Sequence, residues 1–185
     1  MERRRRIAAT MQVEIAKASD LDRIVALVND AYRGSSQAPG WTHETALLSG
    51  QRTDAAIVTA ILKKEDSTVL VMRHQNHVVA CVALQLLDSS NWYLSMLAVD
   101  PEHQQYGVGK QIMAGAERFA HERGALCMKI SVINLREALL AWYERQGYVR
   151  TGEVEPFPYG DATVGTPLRS DLALVTLAKT LRPNG

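Results

Sequence analysis

Two cysteines in 185 residues are too few to staple a fold, so a disulfide scaffold is excluded. Cys81 and Cys127 both fall in apolar, β-branched runs. Reduced, buried thiols are the default there, and a cytoplasmic location is expected; one disulfide between the two stays open. Neither sign of charge is in surplus: 21 Lys and Arg stand against 20 Asp and Glu, a formal net charge of +1. A nucleic-acid or strongly acidic partner has no electrostatic support, and none is expected. No apolar run is long enough to cross a bilayer, so no membrane partner is expected. The five histidines are scattered; His74 and His77 are close, but no acidic or cysteine ligand set accompanies them and HExxH is absent. No metal is expected. The phosphate-binding patterns GxGxxG and GxxxxGK[ST] are missing as well, and so are repeats and low-complexity tracts.

What is present is a globular composition, 46% hydrophobic, of a size usual for one domain. The one charge run, Arg3 to Arg6, reads as part of a disordered basic tail over residues 1–10, perched upstream of a start at Met11. It is not a secretory signal, because no apolar segment follows it. The remainder, 11–182, is read as a single domain.

That domain is organised around residues 91–123. Trp92, Tyr93, Leu94, Met96, Leu97 and Val99 make a strand that stops at Asp100-Pro101. Ile112, Met113, Ala116, Phe119 and Ala120 recur at helical spacing, with Gly124 at the expected end. Between them lies Gln104-Gln105-Tyr106-Gly107-Val108-Gly109-Lys110. The first N–H groups of a helix have no partner within it, and the helix dipole is positive at that end. Two glycines let backbone approach a ligand closely. A strand, a glycine turn and a helix in succession can therefore cradle a pyrophosphate. The plain alternative is a tight connection that binds nothing.

In chain order, residues 13–15 read as a first strand. Ser19 is placed to cap a helix, with Asp22 in capping-box position and Leu21, Ile24, Val25, Val28 and Tyr32 as its apolar face. That helix ends near Arg33-Gly34. A short second helix is expected from Trp41-Thr42-His43-Glu44 to Gly50, and a third after Thr53 with Ala56, Ile57, Ala60 and Ile61 inward. Runs 68–72 and 78–87, parted by Gln75-Asn76, read as a hairpin, and with the 92–99 strand as antiparallel neighbours. Residues 126–132 are a buried strand, parallel to 92–99 if the crossover is right-handed. Residues 135–146 form a helix with Leu139, Leu140 and Tyr143 on one stripe. Strands 148–155 and 172–181 close the chain around a loop, 156–171, of a length that often carries function.

These residues resemble a known family, the GNAT N-acetyltransferases. Its core signature, Q/R-x-x-G-x-G/A between a strand and a helix, is matched by Gln104, Gly107 and Gly109. A second stretch is similar too: a strand over 128–133, then Asn134, then Ala141-Trp142-Tyr143-Glu144-Arg145-Gln146-Gly147-Tyr148. The family commonly shows a tyrosine-glutamate-lysine-x-glycine-aromatic run there. The order of elements agrees across nearly the whole chain. The resemblance implies an α+β GNAT fold: a strongly twisted mixed sheet of six to seven strands flanked by helices, with central parallel strands splayed around the cofactor, acetyl-CoA. It implies acetyl transfer to a primary amine, of a small molecule or a protein, by direct attack in a ternary complex.

Carried over by position, the pyrophosphate would sit on backbone N–H groups of Gln105, Tyr106, Gly107, Val108, Gly109 and Lys110, beside Gln104. The pantetheine arm would pair like an added strand with Leu97, Ala98 and Val99. Asn134 would lie near that arm, or simply cap a helix. The Leu97 N–H would hold the oxyanion. Tyr143 would give its proton to the departing sulfur; a phenol, with a reference pKa of about 10, keeps that proton at neutral pH. The strand 92–99 has no acid to serve as general base, which leaves Glu44 and Glu155 as candidates. Trp41, Trp92 and Tyr159 are candidates for an acceptor pocket or for ordinary packing. Residues 40–52 are similar to a stretch of bacterial GNAT proteins without an assigned substrate; Arg52 would pair with an acceptor carboxylate or with a nearby acid. Two rival functions remain: a noncatalytic acyl-CoA-binding or regulatory module on the same fold, and a nucleotide site, which the glycine turn allows but the missing motifs oppose. Homodimers are common in the family, though no residue here marks one.

Overall fold

A computed structural model describes residues 11–34 and 43–181. The basic tail over 1–10, Trp41 and the side chain of Gln105 lie outside the described residues. The strands are β1 Val13–Ile15, β2 Leu48–Ser49, β3 Ser67–His74, β4 His77–Leu86, β5 Asn91–Val99, β6 Cys127–Ile133, β7 Val149–Pro156, β8 Thr166–Pro167 and β9 Ala173–Thr180. The helices are α1 Leu21–Arg33, α2 Ala55–Lys63, α3 Val108–His121 and α4 Glu137–Arg145. Seven strands form one mixed sheet in the order β1-β3-β4-β5-β6-β9-β7, while β2 and β8 pair apart from it. The expected hairpin, its antiparallel neighbour β5 and the parallel β6 are all present. Among the described residues, no helix is long and apolar enough to cross a membrane.

Alternation decides which helix covers which face. On β3, Val69 and Val71 pack with Ile24, Leu27 and Val28 of α1 and Val58 of α2. Leu70 and Met72 point the other way, onto Ile112, Met113 and Ala116 of α3. On β5 the same rule breaks partway. Trp92 and Leu94 belong to the α3 face, yet Met96 belongs to the α1 face and Leu97 returns to the α3 face. The register explains it: Ala83 pairs with Ser95, but Cys81 pairs with Ala98. Val82 therefore opposes both Met96 and Leu97, which is a β-bulge, and one inserted residue exchanges the two faces of the strand. Met96 adopts φ 51°, a left-handed conformation uncommon outside glycine.

Several expectations need correction. The start of α1 is not capped by Ser19. A 3-10 turn over Ala18–Asp20 precedes it, the Lys17 N–H donates to Asp20 Oδ2 at 2.8 Å, and Asp20 is held by Arg73 of β3 at 2.7 Å. Residues 43–49 do not form a helix: after a turn at 45–47, Leu48 and Ser49 pair with Pro167 and Thr166 of the late loop. The third predicted helix, α2, is capped by Asp54, whose carboxylate accepts from the Ile57 N–H at 2.8 Å, not by Thr53. It buries Val58, while Ala56 and Ala60 face outward. A nine-residue helix that is apolar nearly all round leaves its inward stripe to tertiary packing. Both cysteines are free thiols, so the disulfide alternative does not hold.

The sheet brings α3 unusually close to β1. A Cβ built on Gly115 would lie 2.5 Å from Val13 Cγ2 and 2.9 Å from Val13 Cβ. Alanine at a helical glycine gains about 1 kcal/mol of propensity, whereas overpacking costs about 1–3 kcal/mol. Gly115→Ala is therefore expected to lower the urea midpoint despite its better propensity. Adding Val13→Ala is expected to restore it in part, a coupling that equilibrium unfolding of the two single variants and the double variant measures.

Candidate active site

β5 and β6 pair only at Asn91 with Cys127, Trp92 with Met128 and Tyr93 with Lys129. Beyond those positions the strands part. The gap is a cavity of about 210 Å³ between residues 94–97 of β5 and 130–133 of β6. Tyr32, Arg52, Tyr93, Arg136, Tyr143 and Phe157 line it among others. The bulge sits in its wall. With Val82 facing two residues, one peptide of the Met96–Leu97 pair is released from the ladder. The Leu97 carbonyl shows the effect, since it is bonded to a side chain of α1 and not to a neighbouring strand.

Tyrosines surround that wall. Tyr143 projects from α4 and is buried, with Trp142 edge-on at 5.0 Å and Tyr148 at 5.8 Å. Burial pushes its phenol well above the ordinary value, and nearby Tyr32 adds to the effect. It is a group that keeps its proton until something more basic appears beside it. The Tyr32 hydroxyl donates to the Leu97 carbonyl at 2.9 Å and so orients the strand at the bulge. Burial pushes the Tyr32 phenol up to about 12, with Arg52 acting in the opposite sense.

At the end of β5, Asp100 caps a 3-10 turn over Pro101–Tyr106 and is pinned by Arg23 at 2.8 Å. Gly107 follows at φ 73°, the left-handed value that favours glycine, and nothing lies within 4 Å of where its Cβ would be. Glycine is needed here for its conformation, not for space. The Gln111 N–H donates to the Gly107 carbonyl at 3.1 Å. The amides of Val108, Gly109 and Lys110 precede that bond, at the positive end of a fourteen-residue helix. These groups fit a pyrophosphate. The Gln104 amide donates to the Val99 carbonyl at 3.2 Å, tying the turn to the strand.

Glu44 lies in the cavity wall, and both of its oxygens are engaged. Arg33 pairs with Oε1, and Arg136 donates to Oε2 at 3.2 Å. All three side chains are below 10% exposed. Arg33 also donates to the carbonyls of Gly50, at 3.0 Å, and Val164, at 3.3 Å. Glu44 is thus the centre of a buried post joining α1, the 43–47 turn, the late loop and the start of α4, with each of its oxygens bound to a guanidinium.

Other candidates are not brought to the cavity. Trp92 is buried beneath α3, edge-on to Phe119 at 6.2 Å. Glu155 is exposed on β7. Tyr159 is 45% exposed; its hydroxyl accepts from the Leu172 N–H at 2.8 Å, and its neighbour Phe157 is the aromatic that reaches the cavity. Asn134 does not cap α4, whose cap position is Arg136; its side chain donates to the Asp171 carbonyl at 3.1 Å and accepts from the Ala173 N–H at 3.0 Å, which ties the end of β6 to the start of β9. Sequence reasoning missed Arg136 and Phe157 and treated Tyr32 and Tyr93 as packing. Nothing local marks them; a tyrosine on an apolar helical stripe reads as core.

Among proteins of known kind, the chain is 29% identical over 119 residues to N-acetyltransferase family 8 member 3 of Mus musculus, covering 61% of this chain and 53% of that one. It is 29% identical over 105 residues to an amino-acid acetyltransferase of Pseudomonas putida, covering 56% and 23%. The chain spans about half the length, or less, of the curated relatives it matches. Its fold is that of the ribosomal-protein-S18-alanine N-acetyltransferase from Escherichia coli, with a TM-score of 0.69, 15% identity and 95% and 97% of the two chains covered. A GNAT family acetyltransferase from Elizabethkingia anophelis, solved with acetyl-CoA bound, superposes with a TM-score of 0.64 at 13% identity, covering 92% and 98%. The model of the acetyltransferase (GNAT) family matches residues 21–148, and this chain, with its parted strands and its glycine turn at the head of α3, belongs to that family.

Proposed function

We propose that the protein transfers the acetyl group of acetyl-CoA to a primary amine by direct attack in a ternary complex. The observation that carries this is the gap between β5 and β6, with the Met96–Leu97 bulge in one wall and Tyr143 buried on the other side. The helix-end amides of Val108, Gly109 and Lys110, with the turn at Gly107, would hold the pyrophosphate. The backbone of Leu97, Ala98 and Val99 offers an edge for the pantetheine arm. Bound acetyl-CoA supplies a thioester, whose C–S bond breaks as the N–C bond to the amine forms. The Leu97 N–H is the donor for the oxygen that becomes negative. Tyr143 holds the proton for the leaving sulfur and recovers one from solvent, to which the surplus proton of the amine is lost.

Glu44 we assign as a positioning residue, not the base. Its two arginines fix the acceptor wall, and the incoming amine gives up its proton through water. The protein is read as one acyltransferase domain over 11–182. The free thiols Cys81 and Cys127 support a reducing, cytoplasmic setting.

Acetyl-CoA at a hundred times its Kd is expected to stabilise the fold by about 2.7 kcal/mol, read as a rise in Tm. Gly107→Trp is expected to abolish that rise while Gly107→Ala keeps part of it. No rise in the parent would remove the acetyltransferase reading.

Tyr143→Phe is expected to lower kcat about 100-fold with an unchanged Kd for acetyl-CoA by calorimetry. An unchanged kcat would take the proton away from Tyr143, and a parent that binds but transfers to no amine would favour a noncatalytic module.

Glu44→Gln leaves two buried guanidiniums facing a neutral amide, which is expected to cost about 3 kcal/mol of stability. The acidic limb of its kcat/KM profile is expected to match that of the parent. A lost acidic limb would restore Glu44 as the base.

A further inference from the structure

One cation at the cavity is answered by no carboxylate of the described chain. Arg23, Arg33, Arg73, Arg136, Arg150 and Arg169 each hold an acid. Arg52, which lines the cavity, makes no ion pair among the described residues. It is nevertheless held in place. Its backbone N–H donates to Asn29 Oδ1 at 2.7 Å, and its guanidinium lies over the Tyr32 ring, 5.2 Å from the centroid. Tyr32 links it to the reacting strand, because the hydroxyl of the same ring holds the Leu97 carbonyl. A guanidinium stacked on an aromatic face keeps its N–H edge for a planar, bidentate partner, and a carboxylate fits that edge best.

The surroundings point the same way. The post beside the cavity contains two guanidiniums and one carboxylate, so the wall as a whole is positive. It attracts an anionic group and opposes an acceptor with several positive charges. A volume of about 210 Å³ suits a small molecule. We infer that the acceptor is a small amine carrying a carboxylate in the same molecule, an amino acid or a close relative, with its carboxylate on Arg52 and its amine toward Leu97 and Tyr143. The inference rests on the acetyltransferase reading above.

The test uses the full chain and three sets of probes: the twenty amino acids, the amides or decarboxylated amines that correspond to them, and a polyamine with a lysine-rich peptide. Turnover is read as CoA thiol release, and binding as a further thermal shift in the presence of CoA. Acids are expected to be used or bound at least roughly tenfold better than their uncharged counterparts. Arg52→Gln is expected to raise KM for the preferred acid roughly tenfold or more, leave the Kd for acetyl-CoA unchanged and remove the discrimination against the amide. Arg52→Lys is expected to recover part of it, which a variant that merely misfolded would not. Equal handling of acids and amides, preference for the peptide or polyamine, or a response to no probe while acetyl-CoA still binds would each overturn the inference. Failure of acetyl-CoA itself to bind would overturn the underlying reading instead, and the two failures are distinct.

Discussion

Everything in the site depends on the parting of β5 from β6. Parallel strands gain by staying paired, since each unpaired backbone group in the interior is costly. Here pairing stops after Tyr93 and Lys129, although both strands run on for several residues. Each is held by its other edge: β5 by β4, and β6 by β9 along its whole length from Cys127 to Ile133. The sheet therefore tolerates a wedge-shaped opening in its middle, with a core on each face to keep it from collapsing. The bulge at Met96–Leu97 sits in that opening and turns an ordinary strand into a surface with peptide groups to offer. Strain of this kind, in a left-handed methionine, is kept where the surrounding structure over-determines it.

The second organising element is a charge cluster, which does a different job. Removing one partner from the Arg33–Glu44–Arg136 post would be damaging, but a buried ion pair is weak evidence for stability, because desolvation consumes much of the Coulombic gain. Its value lies in what it joins. Arg33 closes α1, Glu44 fixes the 43–47 turn, Arg136 opens α4, and the Arg33 guanidinium reaches the carbonyls of Gly50 and Val164. Gly165 lies so close that its Cβ would approach the Ser49 carbonyl at 2.8 Å and Arg33 Nη2 at 3.0 Å. Four segments distant in sequence are thus drawn to one rim of the cavity, and the rim is left positive. A pair of short strands, β2 and β8, is the backbone expression of the same closure.

The proposed cofactor side and the proposed acceptor side differ in how they are built. The cofactor side is local. A strand, a turn with glycine at φ 73° and a helix follow one another within residues 91–121, and their chemistry comes from backbone groups whose directions are set by those elements. The acceptor side is assembled from α1, residues 43–52, the end of β6, α4 and the late loop, and its chemistry comes from side chains.

That difference accounts for what the sequence by itself determined. Periods of two and of 3.6, the Gln75-Asn76 turn and the Gly107 turn were enough for the element order, the hairpin, the parallel β6 and the glycine turn at the head of α3. Those features arise from residues close in the chain, where sterics and hydrogen bonding act directly. Tertiary structure decided the rest. No glycine or proline marks the bulge at Met96, and its place follows from packing on both faces of β5 at once. Ser19 lost the expected cap to a 3-10 turn over Ala18–Asp20, whose Asp20 is held by Arg73, 53 residues away. The segment after Glu44 was drawn out of helix by the late loop, and Glu44 itself was claimed by two arginines that lie 11 and 92 residues from it. Long-range ion pairs and the filling of a core choose among alternatives that local preference leaves nearly equal in energy, and a linear reading cannot rank them.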